Sequence, residues 1–185
     1  AIIHPWRHFA PDSNLRDATA AYQTRLLHHA AGLRWAGSPF AHESIGSTIA
    51  VRAQAYAAVR GVPKRAAGED FYLLNKLAKV GRVGRGFGEV LIQGRVSDRV
   101  PFGTGPSLRA VADGQDVKCY EPLLFDWLRH TWRSMTRAAS EGSPLTVELQ
   151  DERAMAGIAR RRLAEMVADI GSARPTQRQR RLIER

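Results

Sequence analysis

Two glycines bracket the run EDFYLLNKLAKV: Gly68 stands before Glu69 and Gly81 after Val80. Within it Leu73, Leu74, Leu77 and Val80 recur at helical spacing, so residues 69–80 are predicted to form a helix with one apolar face. Gly81 falls where a C′ glycine is favoured. Such a short helix has little stability in water unless that face is covered. The chain around it must therefore supply a packing surface. Glu69 and Asp70 occupy the first helical turn, where each negative charge is favoured by the helix dipole by about 0.3–1 kcal/mol. The stretch Ile45–Gly81 that leads into this helix reads as strand, short helix, loop and helix, with the strand near 47–51 and the short helix near 53–59, closed by Gly61.

The same alternation extends in both directions. AIIHPWRH reads as a short strand, and Pro5 argues against a central, fully paired position for it. Asp12, Ser13 or Asn14 can cap a helix over about residues 15–33, where Leu15, Ala18, Tyr22, Leu26 and Ala30 keep helical spacing. Gly32 or Gly37 is expected to stop it. A strand is expected over 89–93. The segments GSPFAHESIGS and GRVSDRVPFGTGPS read as loops. Near residues 114–120 the pattern turns all-helical, with helices expected over 121–140 and 146–170 and a polar, basic tail beyond. The expected architecture is helix-rich α/β: a short mixed sheet with helices over residues 1–115, then a C-terminal helical segment over 116–185.

Charge narrows the partners. Twenty-eight Lys and Arg against 18 Asp and Glu give a net charge of +10. All but Lys64, Lys76, Lys79 and Lys118 of these cations are arginine, which suits bidentate contacts to phosphate. Residues 151–185 alone hold nine Arg against five acids, including the triplet Arg160, Arg161 and Arg162, which suits peripheral contact with an anionic membrane surface. Aromatics and arginines do not interleave on one strand platform, which argues against nucleic acid. Cys119 is the single cysteine, so no intrachain disulfide can form; a cytoplasmic location, extending to the inner membrane face, is expected. No run of about 18 apolar residues suggests a span. The opening AIIHPWRHF lacks the zones of a signal peptide and reads as the inside of a strand, so an upstream segment is expected.

Chemistry concentrates at Glu69-Asp70. Gly68 permits close backbone approach, and Phe71 and Tyr72 can exclude water and raise a carboxylate pKa, as a general base toward a hydroxyl requires. Other candidates are weaker. Gly84, Gly86 and Gly88 lack the spacing and the following helix of a dinucleotide fingerprint. His28 and His29 are adjacent and point to different faces of a helix. His4 and His8 have a metal-ligand spacing only on a helix, which Pro5 opposes.

In the order GSTIAVRAQAYAAVRGV, then AGEDFYLLNKLAKVG, then RVSDRVPFGTG, residues 1–115 resemble the acceptor-side, C-terminal half of family 2 glycosyltransferases with the GT-A fold, and the last segment resembles a loop of a bacterial subgroup. The resemblance implies transfer of a sugar from a nucleotide-sugar donor to a hydroxyl acceptor. It implies that Asp70 is the base that deprotonates the acceptor, with Glu69 orienting or binding it. It places Arg95, Ser97 and Arg99 in a loop that approaches the donor diphosphate, and His42 and Glu43 in a polar loop available to the acceptor. The family's D-x-D motif, which holds a divalent cation (Mg or Mn), is not in this sequence. The chain is then expected to hold no cofactor itself, to be inactive without a nucleotide-binding half, and to expose an apolar face open to homodimerisation. The alternative expectation is a non-enzymatic basic module that binds an anionic surface or a partner protein.

Overall fold

In the computed structural model the described residues are 1–97, 100–101 and 103–141, with the side chains of 138 and 139 aside. Arg99, the expected helix over 146–170 and the basic tail lie outside them. The protein is a helix-rich mixed α/β structure. It divides into two compact units: residues 1–31 with 40–119, and residues 32–39 with the chain from Tyr120 onward.

The first unit begins with β1 (Ile2–Ile3) and β2 (Trp6–Phe9), followed by a 3-10 turn at Ser13–Leu15 and α1 (Arg16–Trp35), whose last residues belong to the second unit. Asp12 caps the 3-10 turn, its side chain accepting the Asn14 N–H at 2.9 Å. A second 3-10 turn, Gly46–Thr48, leads into β3 (Ile49–Ala50) and α2 (Ala53–Ala58). Then come α3 (Glu69–Val80), β4 (Gly84–Arg85), β5 (Val90–Gln93) and α4 (Thr104–Ala112). β1 lies between β3, antiparallel, and β4, parallel, with Ile2 opposite Ala50 and Gly84. β2 pairs in parallel with β5, from Trp6 opposite Val90 to Phe9 opposite Gln93. The opening segment is thus two strands rather than one, and the first is central. Pro5 is accommodated between them, where its carbonyl still accepts the Val90 N–H at 2.8 Å and its missing N–H breaks no ladder bond.

Two apolar clusters hold this unit. One joins Ala18 and Tyr22 of α1 to Leu108 of α4, with Leu26 and Val111 beside them. The other joins Val59 to Leu73 and Leu77 of α3, with Ala1, Val51, Ala55 and Val83 around them. Leu74 is fully buried. The face expected for α3 is therefore present, except that Val80 is 57% exposed. It sits at the helix end, beyond the surface that Leu77 covers. Gly81 follows in an extended conformation rather than a left-handed one, with its N–H bonded to the Leu77 carbonyl.

The segment read from sequence as one long loop contains α4. Pro106 lies in its first turn, where a missing N–H costs no helical hydrogen bond. Gly105 is dictated by space: a Cβ there would stand 2.6 Å from the Ser97 carbonyl oxygen.

His8 of β2 is 7% exposed. Its ring meets Trp6 and Tyr22 edge-on, at centroid separations of 5.1 and 5.6 Å, and both ring nitrogens lack a hydrogen-bond partner among the described residues. Burial lowers its pKa below the ordinary histidine value, because the apolar surroundings disfavour the imidazolium.

In the second unit α5 (Pro122–Glu141) buries Phe125, Thr131 and Met135. Phe125 occupies the space over Gly32, where a Cβ would overlap its ring, so helix α1 runs through this glycine instead of stopping at it. Trp35 donates its indole N–H to Asp126 at 2.6 Å and carries the Arg129 guanidinium over its ring at 4.2 Å. Cys119, at the end of the first unit, is exposed. Among the described residues no helix is long and apolar enough to cross a membrane.

Leu74→Ala should cost about 2–5 kcal/mol of unfolding free energy, as expected for deleting a buried leucine, whereas Val80→Ala should change it by less than about 0.5 kcal/mol. Urea titrations of both variants followed by circular dichroism test whether α3 docks through Leu74 and not through its last turn.

Candidate functional site

Gly68 opens α3 as its N-cap in the left-handed conformation, with φ 72° and ψ 18°, and no side chain caps the helix there. A glycine is what this backbone position favours, because a Cβ is disfavoured at such φ. Of the acidic pair, Asp70 meets a first-turn N–H. Asp70 Oδ1 accepts the Phe71 N–H at 2.7 Å. Asp70 Oδ2 accepts the Gly46 N–H at 2.9 Å, across 24 positions of sequence. The carboxylate thus ties the start of α3 to the 3-10 turn before β3. Glu69 beside it is exposed and Asp70 half-buried. Burial raises the Asp70 pKa, the backbone N–H of Phe71 lowers it, the neighbouring Glu69 charge raises it and Gly46 lowers it; burial is the largest of these influences.

The loop that contains Gly46 also holds His42 and Glu43, all partly or fully exposed but for the buried ring nitrogen of His42. His42 is held below the ordinary histidine pKa by burial, while a hydrogen bond with Asn75 of α3 and the Glu43 charge oppose that shift. His42 Nε2 and Asn75 Oδ1 are buried and have no hydrogen-bond partner among the described residues. Two positions of α3 thus meet the segment of residues 42–46: Asp70 through Gly46, and Asn75 through His42.

Arg95 and Ser97 belong to a different neighbourhood. They follow β5 at Gly94, whose N–H bonds the Phe9 carbonyl at 2.7 Å and which lies against Thr19 and Leu108. Ser97 then packs its backbone on Gly105 of α4. Arg95 is exposed. The hydrogen bonds that fix Asp70 come from Gly46 and Phe71, not from this segment.

Three participants were not singled out from sequence. Gly46 reads as a loop glycine, Asn75 as a polar residue on the flank of an amphipathic helix, and Arg65 as one cation in the loop VPKRAA. In the structure the Arg65 guanidinium lies 3.6 Å above the Tyr72 ring, and Phe71 and Tyr72 meet edge-on at 5.3 Å, both exposed. The two aromatics expected to exclude water are themselves exposed. The sequence has no D-x-D, and among the described residues no three or more His, Cys, Asp or Glu side chains form a group that could hold a metal.

The carboxylate and the imidazoles impose opposite pH dependences. A raised Asp70 pKa means the folded state holds its proton more tightly than the unfolded state. This contribution to stability is complete below the ordinary aspartate value and is lost as pH rises through the raised one. The lowered pKa values of His8 and His42 do the reverse: their contribution is complete above about pH 6.5 and is lost as pH falls through the lowered values. Asp70→Asn should accordingly gain stability relative to the parent as pH rises from the ordinary aspartate range through the raised value, because Asn keeps an oxygen for the Gly46 N–H and carries no charge. Asp70→Ala should instead lose about 0.5–1.5 kcal/mol at neutral pH, the net worth of a hydrogen bond whose exposed donor water can still reach. Urea midpoints across the pH series separate the two.

No protein-family model, curated protein or solved structure matches the chain.

Proposed function

We propose that this chain is the acceptor-side part of a family 2-like glycosyltransferase of GT-A type, with Asp70 as the base that takes the proton of an acceptor hydroxyl. The observation that carries the reading is the state of the Asp70 carboxylate: half-buried at a helix start, with its pKa raised chiefly by burial. A base is most effective when its pKa approaches the working pH, and burial moves Asp70 in that direction. A carboxylate offers about four lone-pair positions, and the Gly46 and Phe71 N–H groups use two of them. A hydroxyl can approach the remainder.

In the proposed step the acceptor oxygen bonds to the anomeric carbon of the donor sugar. The bond from that carbon to the diphosphate oxygen breaks, its electron pair leaves with the nucleotide diphosphate, and the hydroxyl proton passes to Asp70. Glu69 orients the acceptor from the exposed side of the pair. Arg95 is assigned to the diphosphate on the resemblance alone, and Arg99 lies outside the described residues. The donor's nucleotide and any divalent cation belong to a nucleotide-binding half that must be supplied to this chain.

Asp70→Asn tests the proposal. In the protein complete with its nucleotide-binding half, sugar transfer from nucleotide-sugar donors to hydroxyl acceptors should fall about 10²–10⁴-fold in kcat. The donor KM should change little, since the variant keeps the Gly46 hydrogen bond. Turnover equal to that of the parent would rule Asp70 out as the base.

A further inference from the structure

The glycines at 84, 86 and 88 lack the spacing of a dinucleotide fingerprint, and the structure gives the last two a distinct task. β4 and β5 would form one strand against β1 and β2 but for the bulge between them: three steps, Ile3 to Trp6, face five steps, Arg85 to Val90. The surplus residues stand out from the pairing, and Phe87 at their tip is 94% exposed, the most exposed of the large hydrophobic side chains among the described residues. The bulge is fastened on both sides. The Gly86 N–H bonds the Ile3 carbonyl at 2.8 Å, and the Val90 N–H bonds the Pro5 carbonyl at 2.8 Å. At the tip, His4 Nδ1 lies 2.7 Å from the Phe87 carbonyl oxygen. Gly86 is required by this fastening, since a Cβ there would come within 2.8 Å of the His4 ring. Gly88 takes φ 76°, which turns the chain back into β5. A phenyl group is thus held in water by a backbone shaped to hold it there.

Along the chain around it, exposed cations outnumber acids. From Lys79 to Gly88 the chain has Lys79, Arg82 and Arg85, all exposed, and no acid. The next acid, Glu89, faces Arg7 at 3.4 Å. Val80, in the same stretch, adds a second exposed apolar side chain. An apolar tip with arginines behind it is complementary to an anionic lipid surface: the ring enters the acyl boundary while the guanidinium groups meet the phosphates. We infer that the Gly86–Gly88 bulge is a membrane anchor, with Phe87 inserting into an anionic bilayer and Arg82 and Arg85 holding the headgroups. The anchor does not depend on the glycosyltransferase reading.

The experiment uses the full chain with vesicles of phosphatidylcholine, with and without phosphatidylserine. The parent should sediment with the anionic vesicles and not with the neutral ones. Phe87→Ser should weaken partition about tenfold. The Arg82→Ala, Arg85→Ala double variant should weaken it about 25-fold, at roughly fivefold per arginine. Phe87 makes no buried contact, so its variants leave the fold intact. Because the arginine-rich C-terminal stretch can also attract anionic lipid, Phe87→Trp supplies a local readout. With brominated acyl chains, its fluorescence should show quenching beyond that of the parent's own tryptophans. Partition of Phe87→Ser equal to the parent's, or no added quenching from Phe87→Trp, would overturn the anchor. So would a change of oligomeric state in Phe87→Ser with vesicle binding untouched, which would assign the ring to a second copy of the chain.

Discussion

The burial of Leu73, Leu74 and Leu77 orients everything else in the first unit. With these three side chains inward, the rotation of α3 is fixed, and with it the direction of each remaining residue of the helix. Asp70 meets the 3-10 turn at Gly46, Asn75 meets His42, Tyr72 carries Arg65, and Lys76 reaches the Gly61 carbonyl at 3.1 Å. A polar rim is thereby sewn to three successive connections of the chain: the 40–46 loop, the turn after α2 and the loop into α3. The hydrophobic term supplies most of the stabilisation. The hydrogen bonds, each worth about 0.5–1.5 kcal/mol net, decide which loop lies against which turn of the helix.

That division also says what kind of site this is. A carboxylate bonded to two backbone N–H groups is positioned, and one partly withdrawn from water is made more basic. Both effects follow from the same placement, so structural and chemical roles for Asp70 are not alternatives at the level of geometry. They part only when its charge is removed and an oxygen is kept. Glu69, one residue earlier, is open to solvent. Adjacent acids in one helical turn thus differ in surroundings, because Asp70 is the one that accepts the Gly46 N–H.

How much of this could be read from sequence depended on the range of the interaction. The limits of α3 followed from two glycines and a periodic apolar face, and the helix-rich α/β class followed from the alternation of such segments. Val80 belonged to the same periodicity but not to the same burial, because periodicity cannot say where the opposing surface ends. Helix α4 was hidden by Gly103, Gly105 and Pro106, which read as turn residues; the proline fits a first turn, and Gly105 answers to Ser97, a contact made by the fold. The seam at Asp70 was half legible. The acids and the polar residues His42 and Glu43 stood out by type. Their partners, a loop glycine and an asparagine, are ordinary residues whose role arises from bonds across the chain. Arg95 and Ser97 stood out as a basic loop, and the strand that positions them lies beside α1 and α4, among contacts no local pattern encodes.

The parallel pairing of the first strands has a kinetic consequence. Ile2 and Ile3 find their neighbours at Gly84 and Arg85, and Trp6 to Phe9 find theirs at Val90 to Gln93. Each of these parallel ladders therefore joins segments more than eighty residues apart, and loops of that length are closed before any of their contacts can compensate the lost entropy. During synthesis β1 stays without its parallel neighbour until β4 has left the ribosome, and β2 until β5 has. For that interval an isoleucine pair and a tryptophan strand are open to association with other chains, so the slowest and most vulnerable part of folding falls on strands that are made well before their partners.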